Sequence, residues 1–146
     1  MNRYMCSDEL EYIREVPGLI VSYDQTNQWL YADWYGEHTP ESSAVACQLM
    51  LEVAQERRCA KILNDNSNIT HSTARITDVG WQWMRDIYAS GVYYFVWVSP
   101  TSAMDEQMRE NALRSSGRPF VVTFPDLASA CSWLLRQVVP QEQVGE

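Results

Sequence analysis

A chain of 146 residues, 46% hydrophobic and 21% charged, carries enough apolar material for one domain that buries roughly 68–70% of its unfolded surface without metals or disulfides. Eleven basic residues against nineteen acidic ones leave a net charge of −8, a field that repels a phosphate backbone or an anionic membrane. That excludes nucleic acid as an expected partner, and no apolar run approaches the ~20 residues of a membrane-spanning helix.

Residues 1–9 (MNRYMCSDE) lack the apolar core of a secretion signal, and Cys6, Cys47, Cys59 and Cys131 form no Cys-x-x-Cys pair. The four cysteines therefore read as reduced, mostly buried small hydrophobes in a cytoplasmic protein. Residues 1–9 and 139–146 are expected as flexible ends of a domain spanning 10–138.

The elements follow in chain order. Leu10 to Arg14 reads as a short strand before the Pro17-Gly18 turn. Leu19 to Asp24 and Trp29 to Tyr35 are rich in β-branched and aromatic residues, and Gln25 to Gln28 suits the loop of an antiparallel hairpin. Thr39-Pro40 supplies an N-cap followed by proline at the first helical position. Ala46, Met50, Val53 and Arg57 then recur at helical spacing, flanked by Cys47 and Ala54.

Ala60 to Leu63 reads as a short strand that ends in the polar run Asn64-Asp65-Asn66-Ser67-Asn68. A second helix is predicted from Ser72-Thr73, with Ile76, Val79, Gly80, Trp83 and Ile87 inward and Gly91 as its stop. Val92 to Val98 is apolar throughout, as a central strand covered on both faces requires. Ser99 to Ser102 opens a third helix with Met104, Met108 and Ala112 inward, stopped at Ser115-Ser116-Gly117. Pro119 to Phe124 is the last strand, and Asp126 caps a final helix carrying Leu127, Ala130, Cys131, Leu134 and Val138. Together these predict an α/β domain with a mixed, mostly parallel sheet, an initial antiparallel hairpin and about four helices.

Several segments point to a family. Ile62-Leu63-Asn64-Asp65-Asn66 after a strand, Trp83 in the following helix, Phe95 to Pro100 and the closing Ala130-Cys131-Ser132-Trp133-Leu134 resemble the STAS/SEC14-type (SpoIIAA-like) domains. The likeness runs from about Leu19 to Leu135 and implies a single STAS-like domain. One departure stands out. Phosphorylatable members carry an Asp-Ser-Ser/Thr-Gly type motif where this chain has Asp65-Asn66-Ser67-Asn68-Ile69-Thr70-His71-Ser72-Thr73, so the phosphoswitch does not transfer.

The candidate binding residues are Asp65, Asn66, Ser67, His71, Ser72 and Thr73, expected as a loop between a strand's carboxyl end and a helix's amino end. Such a loop favours an anion or a phosphorylated hydroxyl; the plainer reading is turn and cap chemistry. Trp81 and Tyr88, with Met84 between them, form a candidate interaction surface on the flank of the second helix. No motif for nucleophilic, P-loop, dinucleotide or zinc-protease chemistry is present, so no catalytic residue, metal or cofactor is expected. The leading reading is a non-enzymatic regulatory module with a protein partner or a second copy of itself. The alternative is a carrier or sensor of an apolar, lipid-like ligand, with Met84, Met104 and Met108 lining the cavity. A hydrolase or metal enzyme using His71 with Asp65, or His38 with Glu37, comes third.

Overall fold

Strand-forming residues separated by turn chemistry build a three-stranded meander of β1 (Leu10–Val16), β2 (Leu19–Asp24) and β3 (Trp29–His38). Both junctions are antiparallel, and the tight first turn places Gly18 at φ +92°, a left-handed conformation that glycine adopts without strain. The computed structural model describes residues 4–74, 78–99 and 119–139, and only the backbone of residues 78, 79 and 81.

The period then changes to helical. In α1 (Pro40–Glu56), Thr39 Oγ1 accepts from the Ser42 amide at 3.1 Å while Ser42 Oγ accepts from the Thr39 amide at 3.0 Å. This reciprocal cap occupies two amides that the helix itself cannot pair. Strand β4 (Lys61–Ser72) follows, then α2 (Asp78–Ala89), β5 (Tyr94–Val98), β6 (Phe120–Phe124) and α3 (Leu127–Leu135). Gly91 leaves α2 at φ +118°, and Asp126 caps α3 by accepting from the Ser129 amide at 2.7 Å.

The six strands lie in chain order, β1-β2-β3-β4-β5-β6, and every pairing from β3 onward is parallel. A sheet that advances one place at each crossover of constant hand receives successive helices on the same face. Accordingly α1 and α2 share one core with Leu30, Ala32, Ile62 and Phe95, sealed by Met50, Val53, Met84 and Ile87. Alternate residues of the same strands point the other way. Trp29, Tyr31, Leu63, Val96 and Val98 pack there against Ala130, Cys131 and Leu134 of α3. Each fully buried large side chain contributes about 1.5–3 kcal/mol, so the two-faced sheet carries most of the stability.

Four expectations are corrected. Strand β4 does not stop at Leu63 but runs to Ser72, because β3 offers it backbone partners as far as His38. Consequently Ser72 and Thr73 sit at a strand end, and α2 is described only from Asp78. Three helices are present among the described residues; the third one expected, beyond Ser102, lies outside them, as do Met104 and Met108. Finally, the cysteines are not all reduced: Cys6 is disulfide-bonded to Cys131, with Cα atoms 5.7 Å apart. Burial pushes the Cys47 thiol up to about 12 and the Cys59 thiol up to about 11, as expected of inert core cysteines.

The lead-in to β1 is more than a tail. From Tyr4 to Glu9 it lies along the α3 face of the sheet, joined covalently through Cys6 and packed by the Tyr4 ring on Tyr31, centroids 4.4 Å apart.

Candidate functional site

Between Lys61 and Asp65, β4 is flanked by β3 on one side and β5 on the other. Beyond Asp65 it pairs with β3 alone among the described residues: Asn68 with Tyr35, Ile69 with Gly36, His71 with Glu37 and Ser72 with His38. Among the described residues the two strands thus continue past the end of β5 as a parallel two-stranded ribbon at the carboxyl ends of the parallel strands. Burial follows the pairing. Ile62 to Asp65 are buried, Asn66 is half-buried, and Ser67, Asn68, Thr70, His71, Ser72 and Thr73 are exposed.

At the root of the ribbon, Asp65 and Asp33 are register partners on adjacent strands, both buried on the α3 side. Tyr31 donates its hydroxyl to Asp65 Oδ2 at 2.6 Å, and the Ser67 amide donates to Asp65 Oδ1 at 2.9 Å. Asn68 Nδ2 donates to Asp33 Oδ1 at 3.1 Å. Burial lifts the Asp33 carboxyl above its ordinary range, the Asn68 hydrogen bond lowers it, and the nearby Asp65 charge adds to the rise. On the opposite face, Trp34 Nε1 donates to Asn64 Oδ1 at 2.7 Å, while the buried Trp97 Nε1 has no partner among the described residues.

The predicted binding residues therefore share one strand but not one pocket. Asp65, Asn66 and Ser67 sit at the ribbon root, and His71, Ser72 and Thr73 at its tip. Asp65 stands opposite Asp33 and His71 opposite Glu37, four residues or about 13 Å further along β3, so the two do not form a catalytic pair. Ser72 Oγ accepts from the Ala74 amide at 3.1 Å, and the Thr73 amide donates to His38 O at 3.0 Å; neither caps a described helix.

His38 and Glu37 also diverge, since neighbours on a strand face opposite sides. His38 is buried, its Nε2 3.1 Å from Gly18 O and its Nδ1 3.0 Å from Ser42 Oγ. A carbonyl only accepts, so Nε2 carries a hydrogen and donates it to Gly18 O, while Nδ1 lies against Ser42 Oγ. This histidine ties the β1–β2 turn to the start of α1. Of the predicted interaction surface, Met84 is buried in the core, Tyr88 is half-buried, and the Trp81 side chain lies outside the description.

Sequence reasoning missed Asp33, whose place beside Asp65 depends on strand register, and the Cys6–Cys131 bond, whose partners stand 125 residues apart. It also missed Asp24, fully buried in the β2–β3 turn. A cavity of about 260 Å³ opens beside the C-terminal ends of α1 and α2, lined by Gln55, Arg58, Asp86, Ala89 and Ser90. That polar lining is not what a lipid-like ligand takes.

No protein-family model and no curated protein matches the chain. Among solved structures it is similar to an uncharacterised DUF3478-family protein from Shewanella loihica PV-4 with a SpoIIAA-like fold. That likeness has a TM-score of 0.54 at 15% identity and covers 89% of this chain and 98% of that one. The fold is SpoIIAA-like. At this identity the likeness establishes architecture alone, so the function of this SpoIIAA-like domain has to be argued from its own surface. No helix among the described residues is long and apolar enough to cross a membrane.

Proposed function

We propose that this chain is a non-enzymatic, STAS-like regulatory or interaction domain whose partner reads the β3–β4 ribbon. One observation carries the reading: β4 keeps strand geometry from Asn66 to Ser72, beyond its last pair with β5, and presents polar side chains there. A strand edge that no other described residue shares offers amides and carbonyls to an added strand, and its side chains give the selectivity. Ser67, Asn68, Thr70, His71, Ser72 and Thr73 are the exposed polar residues of the segment, and register shifts before Asn68 and before His71 break the simple alternation. With a net charge of −8, the domain suits a basic partner.

The test is site-specific photo-cross-linking in cells. A cross-linker at Asn68 is compared with one at Val45, an exposed residue on α1 (57%). A discrete adduct from position 68, absent from position 45 and abolished by Thr70→Pro, supports the reading. An adduct with a second copy of the chain identifies self-association as the interaction. Equal, diffuse labelling at both positions rejects it.

A further inference from the structure

Besides the hydrogen bonds that Gln25 N and Thr26 Oγ1 donate to Glu9, the N-terminal strap is held to the domain at two main points. One is covalent, Cys6 to Cys131 on α3. The other is the carboxylate of Asp24, which takes the Tyr4 hydroxyl, the Ser7 hydroxyl at 2.8 Å and the Asn27 amide at 2.9 Å. Trp29 Nε1 donates to the Tyr4 hydroxyl at 2.9 Å, and Asn27 Nδ2 donates to Cys6 O at 3.2 Å. Beneath these contacts lie Trp29 and Tyr31, both fully buried against α3 and the strap, so the strap completes the cover of an aromatic surface.

We propose that the Cys6–Cys131 disulfide is a redox latch: reduction by a dithiol frees residues 4–9 and uncovers the Trp29–Tyr31 face. The polar anchor alone is not enough to hold the strap. A side-chain hydrogen bond exchanged with water yields a net gain comparable to the entropy lost in ordering one residue, and the strap orders six for a few such bonds. Its apolar contacts are limited to the Tyr4 ring on Tyr31 and the half-buried Cys6, while Met5 is 57% exposed. The covalent bond therefore decides whether the strap stays docked, whereas the sheet and helices keep their own core without it.

The exchange balances as follows. A thiolate of the dithiol attacks the half-buried Cys6 Sγ, and Cys131 leaves as a thiolate that takes up a proton. The second thiol of the reductant then attacks the mixed disulfide, releasing Cys6 as a thiol and leaving the reductant oxidised. The chain gains two electrons and two protons. Cys47 and Cys59 belong to the opposite core, so they do not compete for the bond.

The experiment is hydrogen exchange on the full chain, oxidised and after treatment with dithiothreitol, with free thiols counted by alkylation before denaturation. The latch predicts that reduction speeds exchange of the Gln25 amide, which donates to Glu9 O at 3.0 Å, at least tenfold while β3 to β5 remain protected. The melting temperature falls by roughly 5–15 °C. Cys6→Ser should reproduce the reduced pattern without any reductant. Unchanged protection of the Gln25 amide after reduction overturns the proposal, as does loss of protection throughout the sheet. So does a protein that reacts at all four cysteines when isolated under oxidising conditions.

Discussion

Asp33 and Asp65 stand opposite each other on β3 and β4, two buried carboxyl groups at adjacent places in a parallel sheet. Burial, with help from the Asp65 charge, holds the Asp33 carboxyl above its ordinary range. An acid whose folded value is raised binds more protons folded than unfolded, so stability falls as pH rises through that window. Asp33→Asn keeps an oxygen for Asn68 and removes the charge. It should raise the urea midpoint at pH 7 and have little effect near pH 2, well below the ordinary aspartate value, where the group is protonated in both states. A variant less stable than wild type at pH 7 would show that the charged form is needed there.

Asp24 behaves in the opposite sense. Burial raises its carboxyl, but hydrogen bonds from Tyr4, the Asn27 amide, Ser7 and the Asn27 side chain outweigh burial and lower it overall. Its contribution is present above the unfolded value and lost as pH falls through the folded one. Asp24→Ala should cost about 2–4 kcal/mol at pH 7 by stranding several donors at once. The gap to wild type should narrow as the solution is acidified, and thermal melts across pH 3–7 would measure it. A gap that does not narrow would remove the carboxylate from the account.

These relationships show where sequence reading stops. The hairpin, the Thr39-Pro40 start of α1, the Asp126 cap and the Gly91 stop all depend on chemistry within a few residues of each element, and all are legible. The end of β4 is not. Asn64-Asp65-Asn66-Ser67-Asn68 carries turn-forming side chains, yet its backbone is claimed by β3, a partner that local propensity does not register. The same holds for the site: Asp65 is identifiable, but its neighbour Asp33 emerges only once two strands are set in register. Cys6 and Cys131 meet because the lead-in to β1 lies along the sheet face on which α3 packs, which no cysteine spacing announces.

The Gly18 turn and His38 are mutually dependent. A Cβ built on Gly18 would lie 2.6 Å from His38 Cε1, and the backbone there already has φ +92°. Gly18→Ala must therefore strain the turn and displace a buried ring that joins Gly18 O to Ser42. We expect a loss of about 2–4 kcal/mol, read from denaturant unfolding, with most of it recovered by no single change at His38. A loss below about 1 kcal/mol would mean that the turn can shift and the contact is slack.

Two tryptophans on one face separate a made hydrogen bond from a missing one. Trp34 Nε1 is bonded to Asn64, whereas Trp97, register partner of Asn64 on β5, buries an indole N–H without a partner among the described residues. Phenylalanine keeps an aromatic ring at either place and deletes the donor. Trp34→Phe strands the buried Asn64 oxygen and should cost about 1–3 kcal/mol. Trp97→Phe removes an unpaid desolvation and should be neutral or stabilising by up to about 1 kcal/mol, after the smaller ring's packing loss. Chemical denaturation of both variants under one condition decides it: if Trp97→Phe is the more damaging, the Trp97 nitrogen has a bonding partner in solution.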